Sequence, residues 1–179
     1  MQQTASFVEI SAYPERLTTG SILARLVSGV GFRYYWATDG LTESDLRYSP
    51  GNNHRDLQQT LNHIYNMVDF VGSILEGKVF DFPEKEYDLD FSEIRTRTLE
   101  RISDVEQILL AGGENVLEKK TVQITLEGTP MEFSIWHLLN GPLLDSIFHL
   151  GQVVTFRRVN GNPIDPCVQP FFGKRIEPN

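Results

Sequence analysis

Asp145, His149 and Gln152 recur at helical spacing inside the otherwise apolar stretch "PLLDSIFHLGQVVTFRR", residues 142–158. A helix advances about 100° and about 1.5 Å per residue, so Asp145 and His149 stand about 40° apart around the axis and about 6 Å apart along it. By the same arithmetic Gln152 falls about 20° to the other side of Asp145. Residues four apart on a helix can close on one small ion. One helix rarely completes a coordination shell, so a second must add a ligand. His63 is placed to do so, as the polar member of the row His63, Met67, Phe70, Ile74. The implied shell is two imidazoles and one carboxylate around a divalent cation, with positions left for water or substrate. The opposing reading makes both histidines core residues with hydrogen-bond partners. Asp145 then pairs with His149 or a nearby arginine, because a buried carboxylate without a partner is too costly. Spacing alone leaves both open. Gln152 either orients a ligand or water from behind or is a polar side chain lining the interior.

Other candidates are weaker. His137 precedes His149 by twelve residues, about 18 Å along a straight helix, so the two cannot share a cation; it reads as a packing or hydrogen-bonding residue. His54 sits at a helix start and reads as exposed. Cys167 is the single cysteine of the chain, so no intrachain disulfide forms. Nothing forms a Ser-His-Asp or Cys-His arrangement, a Walker loop or a dinucleotide-binding fingerprint.

Four helical patterns must position these residues. The first runs from about Leu17 to Thr38, and its "RYYWATDG" end concentrates aromatics for core or dimer packing. The second follows Asn52 or Asn53 as N-cap, with Leu57, Leu61, Ile64, Val68, Val71 and Leu75 as a heptad seam closed by Gly77. An acidic linker broken by Pro83 leads to the third, with Phe91, Ile94, Thr98, Ile102, Val105 and Leu109 on one face and Gly112-Gly113 at its end. "TVQITLEGTPMEFS" alternates around Glu127-Gly128, as a β-hairpin does. The fourth runs from about Glu132 to Val159 and is interrupted at Gly141-Pro142, where Gly151 further on reads as permitting close helix packing. The architecture expected is an all-α four-helix bundle over residues 1–160, with a small β-hairpin before the last helix. An irregular Pro-rich tail, 161–179, packs on the same domain. Leu143, Ile147, Leu150 and Val154 make the last helix apolar opposite Asp145 as well, which predicts a homodimer covering it.

Bulk composition narrows the function classes. With 179 residues, 40% of them hydrophobic and 22% charged, the chain reads as one globular domain. Its formal charge of −8 and pI near 5.0 disfavour nucleic acid as a partner. No basic region followed by an apolar one opens the sequence, and no apolar run reaches the roughly 18 residues of a membrane span. A soluble cytoplasmic protein is expected.

The helix-2 segment "LNHIYNMVDF", the hairpin leading into "FSIWHLLNGPLLDSIFHLGQVVTFRR", and the order of elements resemble the DinB/YfiT-like bacterial four-helix bundles over residues 17–160. The most specific part is the last helix, where the family pattern H-x-x-x-H-x-G-Q is matched by Asp145-x-x-x-His149-x-Gly151-Gln152. The resemblance implies a metal triad at His63, Asp145 and His149. It also implies a metal-dependent hydrolase or thiol S-transferase or isomerase with a small thiol as co-substrate. The departure is aspartate in place of the family's histidine, which lowers the Lewis acidity of the ion and shifts preference from zinc or nickel toward manganese or iron. The alternative is a non-catalytic, stress-associated bundle with a degraded site, which an arginine beside Asp145 would favour.

Overall fold

The computed structural model describes residues 7–82 and 89–177; Pro83 and the five residues after it in the acidic linker fall outside them. The chain is mostly helical with a few small strands. Helix α1 spans Thr19–Thr38, a one-turn α2 spans Glu43–Leu46, α3 spans Leu57–Leu75 and α4 spans Phe91–Gly112. The last helical stretch divides into α5, Trp136–Leu138, a wide turn over Leu139–Leu143, and α6, Leu144–Val159.

Capping chemistry fixes where these helices begin. Thr18 and Ser21 exchange backbone and side-chain hydrogen bonds at 3.0 and 2.8 Å, so α1 starts two residues after Leu17. Asp56 caps α3 in place of the expected Asn52 or Asn53. Its Oδ1 accepts from Gln59 N–H at 2.7 Å, while the Gln59 side chain accepts from Asp56 N–H at 3.0 Å. The reciprocal box satisfies two orphan donors where a lone asparagine satisfies one. Beyond the cap, all six seam residues from Leu57 to Leu75 are buried. Gly77, at φ +76°, ends the run.

Helices α1 and α4 pack on each other, as do α3 and α4, α3 and α6, and α1 and α6. The α1–α4 approach is close enough to need glycine: a Cβ on Gly20 would stand 2.1 Å from the Leu109 carbonyl oxygen. Arg157, near the end of α6, donates to the Trp36, Ala37 and Asp39 carbonyls at the end of α1, so these two helices run parallel. Leu75 at the end of α3 meets Leu138 and Leu143 instead, which makes α3 antiparallel to α6.

The hairpin forms from β2, Thr121–Leu126, and β3, Thr129–Ser134, turning through Glu127 and Gly128 at φ +49° and +79°. Two left-handed residues in a two-residue loop define the turn whose twist matches paired strands. A third strand, β1 (Phe80–Phe82), pairs parallel to β2 and was not legible in so short a segment. The register pairs Thr121 with Ser134, so Glu132, the expected start of the last helix, is held in β3. The break at Gly141-Pro142 is real: Gly141 leaves helical geometry at φ −91° and ψ −110°. Proline there supplies no N–H to the turn.

The tail carries a two-stranded ribbon of β4, Val168–Gln169, and β5, Lys174–Arg175. Ile164 of the tail packs against the core. On the face of α6 for which a second copy was expected, Leu143 and Leu150 are buried within this chain, Val154 is half-buried and Ile147 is exposed. No helix among the described residues is long and apolar enough to cross a membrane.

Candidate metal centre

Two helices distant in sequence bring His63, Asp145 and His149 together. One donor atom from each lies within 4.8 Å of the others. His63 Nε2 stands 3.1 Å from Asp145 Oδ2, and His149 Nε2 stands 3.6 Å from the same oxygen. The imidazole rings meet edge to face, with centroids 4.4 Å apart. Both histidines are buried, whereas the Asp145 side chain keeps 41% of its surface exposed. The group is therefore sheltered on the imidazole side and open on the carboxylate side.

The donor set can be tested against what a cation requires. Oxygen and nitrogen donors about 2.1 Å from a divalent ion are about 3.0 Å apart at right angles and about 3.4 Å apart at tetrahedral angles. Of the two separations at Asp145 Oδ2, 3.1 Å falls within that range and 3.6 Å lies just above it, so the three residues could close on a small divalent ion with a modest side-chain adjustment. Among the described residues the ion-pair partners of Asp145 are the two histidines; no arginine or lysine neutralises it. The arginine that would have favoured a degraded site is not there.

Gln152 reaches the group from behind. Its Oε1 accepts from His149 Nδ1–H at 2.7 Å. That hydrogen bond calls for a proton on Nδ1, which in the neutral ring leaves Nε2 as the nitrogen available toward Asp145. Gly151 plays a different part from the one its place in the pattern indicated. A Cβ there would meet nothing within 4 Å, so close helix packing does not require it.

The cluster opens into a cleft of about 440 Å³. Met67, Phe82, Leu144 and Phe148 give it apolar walls, and Asn140 to Pro142 of the interrupted helix close one end. Leu144 and Phe148 are large apolar side chains left exposed at its mouth. The sequence carried signals for some of this, in the Gly-Pro break and in the Leu144–Phe148 spacing of one turn. Phe82 was hidden, because it arrives on the strand that pairs from outside the hairpin.

The remaining histidines stand apart from the cluster. His137 is exposed and edges onto Phe133 at 5.5 Å between ring centroids. His54 is exposed ahead of the α3 cap. In "RYYWATDG" Tyr34, Ala37 and Thr38 are buried core, and burial pushes the Tyr34 hydroxyl well above its usual range. Compared with family models and with curated proteins, the chain matches none.

Proposed function

We propose that His63, Asp145 and His149 hold one divalent cation and that the protein is a metal-dependent enzyme of the hydrolase or thiol S-transferase and isomerase class. The observation that carries this reading is the shared oxygen: two imidazole nitrogens converge on Asp145 Oδ2 from different helices, with no cationic side chain among the described residues to neutralise it. The resemblance to DinB/YfiT-like four-helix bundles supports the same assignment. Bound there, a divalent ion would supply Lewis acidity, making a water or thiol acidic enough to ionise near neutral pH.

The chain's own groups do the rest. Gln152 holds the His149 ring in the tautomer that offers Nε2. Asp145 provides a negative charge on the solvent side, which suits manganese or iron better than a three-imidazole shell does. The apolar walls favour a substrate with an apolar body. A small thiol fits that description at its reacting end.

A second reading is favoured by one specific distance. The 3.1 Å contact lets His63 Nε2–H donate directly to Asp145, so the carboxylate has a partner with no ion present. On that reading the cluster is a hydrogen-bonded element of a non-catalytic bundle.

Elemental analysis of the untagged protein separates the two. The metal reading expects about one equivalent of manganese, iron, zinc or nickel in the parent and a loss of at least tenfold in His149→Ala and Asp145→Ala. A parent that takes up no metal after incubation with any of the four ions overturns it.

A further inference from the structure

On the side of α6 turned away from the candidate metal centre, α6, α1 and the tail enclose a second cavity of about 470 Å³. Ile147, Gly151, Val154 and Arg158 line it from α6, all on the half of the helix opposite Asp145. Its walls are apolar, with Trp36 and Ile164 facing the α6 residues. The Trp36 N–H is already donated to the Val8 carbonyl at 3.1 Å, so the indole offers the cavity its hydrocarbon surface. At Gly151 the cavity reaches the helix itself, since the place of a Cβ is open space.

Two guanidinium groups stand at this apolar hollow, Arg33 from α1 and Arg158 from α6. Arg33 donates to its own helix, at the Gly29 carbonyl 3.1 Å away. Neither arginine is ion-paired with a described carboxylate, although the chain has 24 acidic residues against 16 basic ones. The acid that lines the cavity, Asp165, accepts from the Cys167 backbone N–H at 2.8 Å and from Arg175 at 2.6 Å, and these two bonds, the first the stronger influence, hold its carboxyl below the usual range. The cavity therefore combines hydrocarbon walls with two guanidinium groups that no described carboxylate neutralises.

We propose that this cavity binds a small amphipathic anion: an alkyl or aryl body seated between Trp36, Val154 and Ile164, with a carboxylate or phosphate held by Arg33 and Arg158. The volume is that of a small-molecule site, which runs from about 300 to 1,000 Å³. Guanidinium is the side chain whose paired donors match carboxylate and phosphate oxygens. The inference is independent of the metal assignment, because the two sites use opposite faces of α6.

Calorimetric titration of the full chain with octanoate, phenyl phosphate, octanol and inorganic phosphate tests it, with light scattering alongside. Octanoate or phenyl phosphate binds at one equivalent, at least tenfold more tightly than octanol or inorganic phosphate. Arg33→Gln with Arg158→Gln reduces the anion to the affinity of octanol and leaves octanol unchanged. Gly151→Leu, which enters the cavity from a position where a Cβ meets nothing within 4 Å, abolishes binding of both while circular dichroism and melting temperature hold. Equal binding of octanol and octanoate overturns the proposal, as does binding that survives Gly151→Leu, or no saturable binding of either amphipathic anion. A dimeric parent that Gly151→Leu converts to monomer also overturns it, by giving the cavity to a second copy of the chain.

Discussion

Helix α6 carries a polar cluster near each end, and the two differ in how completely they are satisfied. Near its start, Asp145 has two imidazoles as its ion-pair partners among the described residues and faces a cleft. Beyond its end, Asp45 is fully buried and accepts from Thr42 N–H at 2.9 Å, Thr42 Oγ1 at 2.7 Å, Asn160 Nδ2 at 2.8 Å and Asn162 Nδ2 at 2.7 Å. Beside it Arg157, 3% exposed, donates to the Trp36 and Ala37 carbonyls of α1, to the Asp39 carbonyl just past it, and to both oxygens of Asn162. Burial pushes the Asp45 carboxyl up, but the hydrogen bonds from Asn160, Asn162 and Thr42 outweigh it and hold the group at about 2. A saturated cluster has nothing left to offer a ligand. An under-saturated one with a cleft beside it does, and that difference separates a structural carboxylate from a candidate site.

The sharpest way to break the comparison is at Arg157. Arg157→Met removes the donors that close the end of α1 and leaves three carbonyls facing an apolar side chain. The expected cost is roughly 3 kcal/mol, since hydrogen bonds from charged groups and unsatisfied buried carbonyls both weigh on the folded state. Chemical denaturation measures it; a loss below about 1 kcal/mol would show that water replaces the guanidinium. Next comes the same substitution at the two aspartates. Asp45→Asn should cost about 2 kcal/mol, because an amide turns half of an acceptor into a donor opposite other donors. Asp145→Asn should leave stability of the metal-free protein within about 0.5 kcal/mol, as expected for a half-exposed group.

Acid titration sharpens the contrast further. The folded pKa of Asp45, about 2, lies below the ordinary 3.8. A depressed carboxylate contributes stability that is fully present above about pH 4 and lost as pH falls toward 2. The slope of melting temperature against pH across that window should therefore be shallower in Asp45→Asn than in the parent. An unchanged slope would assign the acid sensitivity to other carboxylates.

Sequence periodicity made the long helices legible because each buries a stripe that repeats every three or four residues. The α3 seam is the clearest case, and its period alone puts His63 on the interior side. Helix spacing likewise put Asp145, His149 and Gln152 on one face. What the sequence hid were contacts with no local period. The Asp45 cluster joins residues over a hundred positions apart, through asparagines that look like ordinary loop residues. Strand β1 is three residues long, and its pairing is decided by β2. The start of the last helix was misplaced for a related reason: hairpin register, set by the turn at Glu127 and Gly128, outweighs the helical pattern of residues 132–134.

The smallest effect on the fold is expected at Gln152, where the comparison between saturated and open clusters becomes a test of purpose. Gln152 is half-buried and contacts the group through a single 2.7 Å hydrogen bond to His149 Nδ1. If His149 is a core histidine, that bond is structural and its loss in Gln152→Leu is felt as stability, about 1 kcal/mol. If His149 is a ligand, the bond sets which nitrogen carries the proton, and its loss is felt as affinity for the cation, by about tenfold or more. Gln152→Glu separates the cases again, since a carboxylate accepts from Nδ1–H more strongly and makes Nε2 a better donor. Metal affinity, measured by competition with a chromophoric chelator, should then fall in Gln152→Leu and recover in Gln152→Glu, with melting temperatures of the metal-free proteins close together. A fall in melting temperature with unchanged metal affinity in Gln152→Leu would place His149 with Asp45, among the groups that hold the fold.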